Sequence, residues 1–243
     1  MFTKPIRALL GLLGILRVEK KWTTANNADF NANREPAELV LVGPGDSRFS
    51  QGIAFSQAND AQGDPGGFWS HLCIHVGEYW ARRMRQLHPE ILKQRKIEPI
   101  TGRDLGQAIP DEPAEFEIIE AEGGGVQVDT LNKYNGAQLV GFARPLTDAQ
   151  IEKLLLWYYQ QVGKPYGFVT FLTELFPNPS DIPVNDPGYI CSALGCTGYK
   201  MQLGIDACDP KIDCRKATPQ QTYNWLEQLI LWVRHFLNCE MGD

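Results

Sequence analysis

The alternation of hydrophobic and polar positions predicts strands in the first part of the chain and helices in the second. Short apolar runs bounded by turn residues predict strands in AELVLVGPG, RFSQGIAFSQ, WSHLCIHVG, AEFEIIEA, GGGVQVDTL and AQLVGFARPL. Longer periodic runs predict helices in TDAQIEKLLLWYYQQVG, YGFVTFLTELF, YICSALGCTGYKMQLG and TPQQTYNWLEQLILWVRHFLN. A charged segment ending near Lys96 is also helical in pattern. This segregation predicts an α+β fold with an antiparallel sheet packed against helices.

Two of these helices carry start signals. Thr147 and Gln150 have the spacing of a capping box, and Thr218 followed by Pro219 is typical of an N-cap and first helical position. The helix after Thr147 presents one apolar stripe to a core, formed by Ile151, Leu154, Leu155, Tyr158 and Val162.

Residues 1–36 differ in pattern from residues 37–243, which we interpret as the main domain. The N-terminal run RALLGLLGIL is too short to span a bilayer, and charged residues rather than a cleavage site follow it. Residues 22–36 are polar and predict a linker. Two interpretations stay open: a helix packed on the domain, or a cationic helix that touches a membrane surface through residues 4–18. No cleavable signal peptide is expected, and a cytoplasmic or peripheral membrane location follows.

The amino-acid composition limits the kinds of molecule that the protein is expected to bind. The net charge of −6 argues against nucleic acid, because an acidic chain repels phosphate backbones. The six cysteines do not resemble a disulfide framework in a chain of 243 residues, so we expect reduced thiols, although Cys208 and Cys214 could close a small loop.

Cys191 follows a Pro-Gly turn and begins a predicted helix. The N–H groups of a helix N-terminus favour a thiolate and can also hold the oxyanion that forms when sulfur attacks a carbonyl. Cysteine is also a common buried residue, so the stretch by itself supports a nucleophile and a packing role equally.

A base for this thiol is available in WSHLCIHVG. The strand period of two sets Trp69, His71, Cys73 and His75 on one face, with the apolar residues on the other. We expect this polar face to front a cleft. Residues i and i+2 lie about 6.6 Å apart along a strand, so His71, Cys73 and His75 cannot easily share one metal ion. We therefore expect neither a metal nor another cofactor.

Glu120 is the candidate that would orient the base. In EFEIIEAEGGG it extends the apolar face of a strand just before a glycine turn, while Glu117 lies on the opposite face. A carboxylate on an apolar face is costly unless it is paired, and an imidazole N–H would pair it.

The order of these features resembles a known family. A histidine strand, IIEA followed by GGGV, a strand ending in Arg-Pro-Leu, GKPYGF and then YICSALG are similar to the circularly permuted NlpC-like (YiiX-like) papain-fold cysteine peptidases and amidases. Lecithin:retinol acyltransferase-like proteins are relatives of that family. The resemblance covers roughly residues 37–225, and in permuted members the histidine strand precedes the cysteine helix, as it does here.

The resemblance implies a thiol hydrolase with Cys191 as nucleophile, His71 as base and Glu120 as third residue. His75 remains the alternative base, and His71 is preferred because it lies at the loop end of its strand. Tyr166 of GKPYGF would line the site, with Trp69 and Tyr189 as further substrate-contacting candidates.

The implied substrate is an amide, such as a cell-wall peptide. One alternative is a lipid ester hydrolase or acyltransferase at a membrane, with an acyl groove lined by aromatic residues that include Phe68 and Phe168. A non-catalytic binding module of the same fold is the other alternative.

Overall fold

The computed structural model describes residues 17–22, 30, 33–43, 69–98, 102–167 and 188–240. The strands are β1 (Arg17–Trp22), β2 (Leu39–Val42), β3 (His71–His75), β4 (Arg95–Ile97), β5 (Asp104–Gln107), β6 (Glu117–Glu122), β7 (Gly125–Thr130) and β8 (Leu139–Ala143). The α-helices are α1 (Glu78–Leu87), α2 (Asp148–Gln161), α3 (Cys191–Leu203) and α4 (Pro219–Glu240). Short 3₁₀ turns lie at Pro89–Lys93, Leu131–Tyr134 and Cys214–Lys216.

The main sheet has six antiparallel strands in the order β1-β8-β2-β3-β6-β7, and β4 and β5 form a separate hairpin. The α+β class is therefore confirmed. Alternation along each strand divides the sheet into two buried faces. One face packs against the helices in the larger core; it includes Leu41, Leu72, Ile74, Ile119 and Phe142. The other carries a smaller core of Phe30, Val40, Val42, Cys73, Ile118, Leu131 and Leu139.

Helices α2 and α4 begin where the sequence predicts. Thr147 and Gln150 form a complete capping box. Thr218 accepts from the Gln221 N–H while the Gln221 side chain accepts from the Thr218 N–H, which is the same reciprocal arrangement at the start of α4. The predicted α2 stripe is buried throughout, with Leu154, Leu155 and Tyr158 fully covered. Capping and periodicity depend on residues a few positions apart, so both are readable from sequence.

The described part of the N-terminal segment packs with the rest of the chain. Residues 17–22 are a strand that pairs with β8, rather than helix. Phe30 is buried in the smaller core, and the Arg34 guanidinium lies 3.9 Å from its ring centroid and 2.7 Å from Glu38. This ion pair packs directly against Gly141 of β8. Any side chain at position 141 would overlap the ion pair, so the close approach requires glycine. The segment predicted to be a linker thus contributes to the core.

The segment after β3 also differs from expectation. The helix predicted to continue to about Lys96 ends at Leu87, and β4 follows the 3₁₀ turn. The strand predicted at RFSQGIAFSQ and the helix at YGFVTFLTELF lie outside the described residues, apart from Tyr166 and Gly167. Every helix in the described part of the chain is too short or too polar to cross a bilayer.

Candidate active site

Two elements meet at the end of β3 to bring His71 and Cys191 together. His71 is the first residue of β3, and Cys191 is the first residue of α3, which packs on the opposite face of the sheet. Pairing between β3 and β6 begins at Cys73, so the strands have separated at Leu72. Gly195, one turn along α3, permits close packing because a Cβ there would lie 2.7 Å from a Leu72 methyl group. The N-terminus of α3 therefore lies where β3 and β6 have separated, and Cys191 reaches His71 there.

The Cys191 thiol is buried, with 6% of the residue exposed, and it is hydrogen-bonded to the His71 ring. The backbone N–H groups of Leu72 and Ser192 also donate to its sulfur. Burial by itself opposes ionisation, but the charge and hydrogen bond of His71, joined by these two N–H groups, hold the pKa of Cys191 below its ordinary value. The arrangement favours a thiolate.

Glu120 anchors the histidine from the other side. His71 Nε2 donates to Glu120 Oε2 over 2.8 Å, which leaves Nδ1 as the ring nitrogen for the sulfur. Burial lowers the pKa of His71, but the Cys191 thiolate and then the Glu120 carboxylate raise it to about 10. Burial likewise opposes ionisation of Glu120, yet His71 and then Lys133 lower its pKa to about 2. The sequence-predicted Cys191, His71 and Glu120 thus form one contiguous chain of ionised groups.

Lys133 and Tyr134 complete the surroundings of Glu120, and sequence reasoning did not single them out. Both lie on the 3₁₀ turn after β7; the Lys133 ammonium contacts Glu120 Oε1, and the Tyr134 hydroxyl donates to Oε2 over 2.6 Å. Burial raises the pKa of Tyr134 well above its usual range, so it remains a donor. The only signal was indirect: a fully buried carboxylate needs more partners than one imidazole.

His75, the alternative candidate for the base, lies at the other end of β3 from His71. It lies four residues along β3, where its Nδ1 donates to the Glu35 carbonyl over 3.0 Å and its Nε2 has no hydrogen-bond partner. Burial lowers its pKa to about 4, and the ring is neutral. The polar face of β3 fronts no cleft at this end, because Cys73 and His75 are covered by the smaller core and by residues 35–38.

The three aromatic residues predicted to contact substrate differ in how deeply they are buried. Trp69 is only 1% exposed and its ring packs 5.1 Å from that of Tyr223, so the expectation that it contacts substrate is wrong. Tyr166 and Tyr189 are half-buried and paired through a parallel bridge, and the Tyr166 ring packs on Ile190 and Ala193 beside the thiol. Both tyrosines therefore remain partly exposed near Cys191, and their contact with substrate stays a prediction.

Among the other described cysteines, Cys196 and Cys208 are hydrogen-bonded to each other. Cys73, Cys191, Cys196, Cys208 and Cys214 are all free thiols. Cys208 and Cys214 therefore do not close the loop that the sequence left open. Cys196 is buried 3.4 Å from the Thr222 hydroxyl, and Cys214 accepts from Thr197 over 3.6 Å.

Two residue sets could be considered for a metal ion. His71, Cys73 and His75 do not converge, because the Cys73 thiol points to the Val40 carbonyl and His75 to Glu35. His71, Glu120 and Glu122 do have ligand atoms within 4.8 Å of one another. However, the Lys133 ammonium already contacts both carboxylates and supplies the positive charge that this cluster needs.

The chain was compared with protein-family models, with curated proteins and with solved structures, and none of the three comparisons gave a match.

Proposed function

We propose that the protein is a cysteine hydrolase of the circularly permuted papain-like type that cleaves an amide bond, as in a cell-wall peptide. The observation that carries the proposal is the Cys191–His71–Glu120 chain, with the thiol on the first residue of a helix and the imidazole between sulfur and carboxylate. The order of histidine strand before cysteine helix is that of the permuted family. A buried thiol that only packs in the core does not need a charged imidazolium beside it. The pairing of Cys191 with His71 therefore disfavours the non-catalytic alternative.

Acylation follows from the protonation states of the resting site. The Cys191 thiolate attacks the carbonyl carbon, and the oxygen becomes an oxyanion beside the first N–H groups of α3, which have no intrahelical acceptor. The tetrahedral intermediate collapses when His71 gives its proton to the leaving nitrogen. The S–C bond then replaces the C–N bond, and the amine departs neutral.

Deacylation uses the neutral imidazole that acylation leaves. His71 takes a proton from water, the resulting hydroxide attacks the thioester, and the C–S bond breaks to regenerate thiolate and imidazolium. The product is a carboxylic acid. Glu120 holds the ring orientation through both steps, since its contact with Nε2 does not involve the nitrogen that transfers the proton.

The lipid ester alternative loses one of its supports. Trp69 is packed in the core rather than available to an acyl chain. Phe68, Phe168 and residues 4–16 lie outside the described residues.

The pH dependence of Cys191 alkylation tests the proposal. Iodoacetamide labelling of the Cys191 peptide, followed by mass spectrometry, should report a pKa well below the ~8.5 of a free thiol. His71→Ala should raise that value, whereas His88→Ala should leave it unchanged, because His88 pairs with Glu152 away from the thiol. An ordinary thiol pKa in the wild type would contradict the proposal.

Substrate class is tested by turnover. Wild type and Cys191→Ala are incubated with a cell-wall digest and with a phospholipid panel, and new amine and fatty acid are measured separately. Amine release that requires Cys191 supports the amidase. Thiol-dependent release of fatty acid alone would select the lipid ester alternative instead.

A further inference from the structure

A cavity away from the thiol opens between the residues before β2, the end of β8 and the start of α2. Its volume is about 260 Å³, and its walls include Arg144 and Glu35 together with four apolar residues, Pro36, Pro145, Leu146 and Ile151. Arg144 follows the last residue of β8, so its guanidinium is fixed by the sheet rather than by a loose loop. None of these residues belongs to the candidate active site.

Arg144 is a buried cation without a carboxylate partner among the described residues. It is 9% exposed, one Nη donates to the Asp206 carbonyl over 3.1 Å, and its guanidinium lies 5.9 Å from the Tyr199 ring centroid. A guanidinium has five N–H donors, and the hydrogen bond to the Asp206 carbonyl uses only part of this capacity in a side chain that lines the cavity. Buried charges in proteins are normally paired.

The two neighbouring carboxylates are each bound by another cation, although Asp206 also acts on Arg144 through its charge. The Asp206 carboxylate is bound by Lys200 Nζ at 2.7 Å, and the Glu38 carboxylate by Arg34 at 2.7 Å. Glu35 also lines the cavity, at an exposed position. Burial lowers the pKa of Arg144, so a bound anion would stabilise the charged form.

We propose that this cavity binds a small monocarboxylate with a short branched apolar body. The carboxylate would pair with the planar donor fork of Arg144, and the apolar body would contact Leu146 and Ile151. A volume of about 260 Å³ corresponds to roughly nine waters at ~30 Å³ each, so the ligand has about eight non-hydrogen atoms. Inorganic phosphate has no apolar body that could contact Leu146 and Ile151, so it serves as the control for charge alone.

This site is independent of the proposed hydrolase chemistry. Tyr199, which carries the Arg144 guanidinium on its ring, lies eight residues beyond Cys191 on α3, a rise of about 12 Å. Ligand binding at this site can therefore be measured directly. The result can be interpreted even if the hydrolase proposal fails.

Binding of 4-methylpentanoate, measured by ligand-observed NMR and calorimetry, tests the proposal against its neutral amide and inorganic phosphate. We expect the acid to bind at least tenfold more tightly than either. Arg144→Met should weaken binding of the acid at least tenfold, while Arg82→Met, at an exposed arginine on α1 paired with Glu78, should not change it. Cys191→Ala should bind the acid as the wild type does.

Leu146→Trp provides a second route if Arg144→Met does not fold, because it fills the cavity and leaves the guanidinium in place. It should also abolish binding. The proposal is overturned if the wild type binds no acid, if the amide or phosphate binds as tightly as the acid, or if a folded Arg144→Met retains wild-type affinity. Loss of binding in Cys191→Ala would place the ligand at the thiol and would overturn it as well.

Discussion

At the scale of single residues, the site depends on how the negative charge of Glu120 is balanced. Its two oxygens accept hydrogen bonds from His71, Lys133 and Tyr134, and the carboxylate is fully buried. A buried carboxylate with three donors remains ionised, and an ionised Glu120 keeps His71 protonated. The histidine can then hold the Cys191 thiolate.

The pKa of His71 should fall in Cys191→Ala. Its value of about 10 arises because the thiolate offsets the burial that lowers it, with a smaller contribution from Glu120. Removing the sulfur leaves burial opposed by Glu120 alone, so the ring should deprotonate at a lower pH. An NMR titration of the His71 ring measures this shift. His88 in the same spectra is the internal control, and an unchanged His71 pKa would contradict thiolate pairing.

Lys133→Met should destabilise the protein and disturb the histidine. Glu120, with a pKa of about 2 against an ordinary 4.5, stabilises the fold above pH ~4.5 and loses that contribution as the pH falls towards 2. Without Lys133 the pKa of Glu120 rises towards its unfolded value, so the contribution is smaller and its loss, which still begins near pH ~4.5, is complete at a higher pH. We expect a cost of about 1–3 kcal/mol at neutral pH, measured by urea unfolding across pH.

Comparison with other variants separates a positioning role for Lys133 from general packing. Tyr134→Phe removes one neutral donor and should cost only about 1 kcal/mol. Lys133→Arg keeps the charge and should restore the pKa of Cys191 measured by alkylation. If Lys133→Met left both the pH profile of stability and the alkylation profile unchanged, the ammonium would have no positioning role.

At the scale of elements, the approach of α3 to the sheet is set by the strand-like bridge before it. Tyr166 and Tyr189 pair in parallel, and the Gly167 N–H donates to the Tyr189 carbonyl over 3.0 Å. Gly188 makes this possible, because a Cβ there would lie 2.6 Å from the Gly167 nitrogen. The bridge fixes Tyr189, two residues before the first residue of α3.

Gly188→Ala should displace Cys191 from His71. The clash involves backbone atoms that cannot rotate away, so the chain at Tyr189 must shift. We expect the alkylation pKa of Cys191 to rise towards the ordinary thiol value while the helical content measured by circular dichroism is retained. Gly123→Ala is the matched control, since an added methyl group there meets nothing within 4 Å. A wild-type alkylation profile in Gly188→Ala would show that the bridge does not position the thiol.

At the scale of the whole molecule, one buried ion pair joins the sheet to two helices. Arg85 of α1 donates to both oxygens of Glu117 on β6, at 3.0 and 2.8 Å, and the Tyr159 hydroxyl of α2 contacts the same carboxylate. The sequence pattern set Glu117 on the face opposite Glu120, and this is confirmed. Arg85 lies in a strongly charged helix, yet it is only 7% exposed and its charge is buried against the sheet.

Arg85→Met should lower the free energy of unfolding by about 3–5 kcal/mol, because it leaves the Glu117 charge buried and uncompensated. The double variant Arg85→Met/Glu117→Gln should recover part of the loss, since no unpaired charge remains. Arg82→Met, at an exposed position one turn earlier, should change stability by less than about 0.5 kcal/mol. Urea unfolding measures all three, and equal effects at positions 82 and 85 would contradict the argument.

The sequence by itself determined the features that depend on neighbours along the chain. Alternation located β2, β3 and β6 to β8, and the capping pairs at Thr147 and Thr218 located the starts of two helices. It also singled out Cys191, His71 and Glu120, because a helix start, a polar strand face and a carboxylate on an apolar face are each local signals.

Only the tertiary structure decided which of these residues meet. Strand order and register placed His71 against Glu120 and left His75 sealed behind residues 35–38; they also brought Lys133 to the carboxylate. Burial of Trp69 and pairing of β1 with β8 were decided in the same way. Such contacts join segments tens of residues apart. Their free energy comes from burial and charge neutralisation that exist only once the sheet has formed, so no local pattern encodes them.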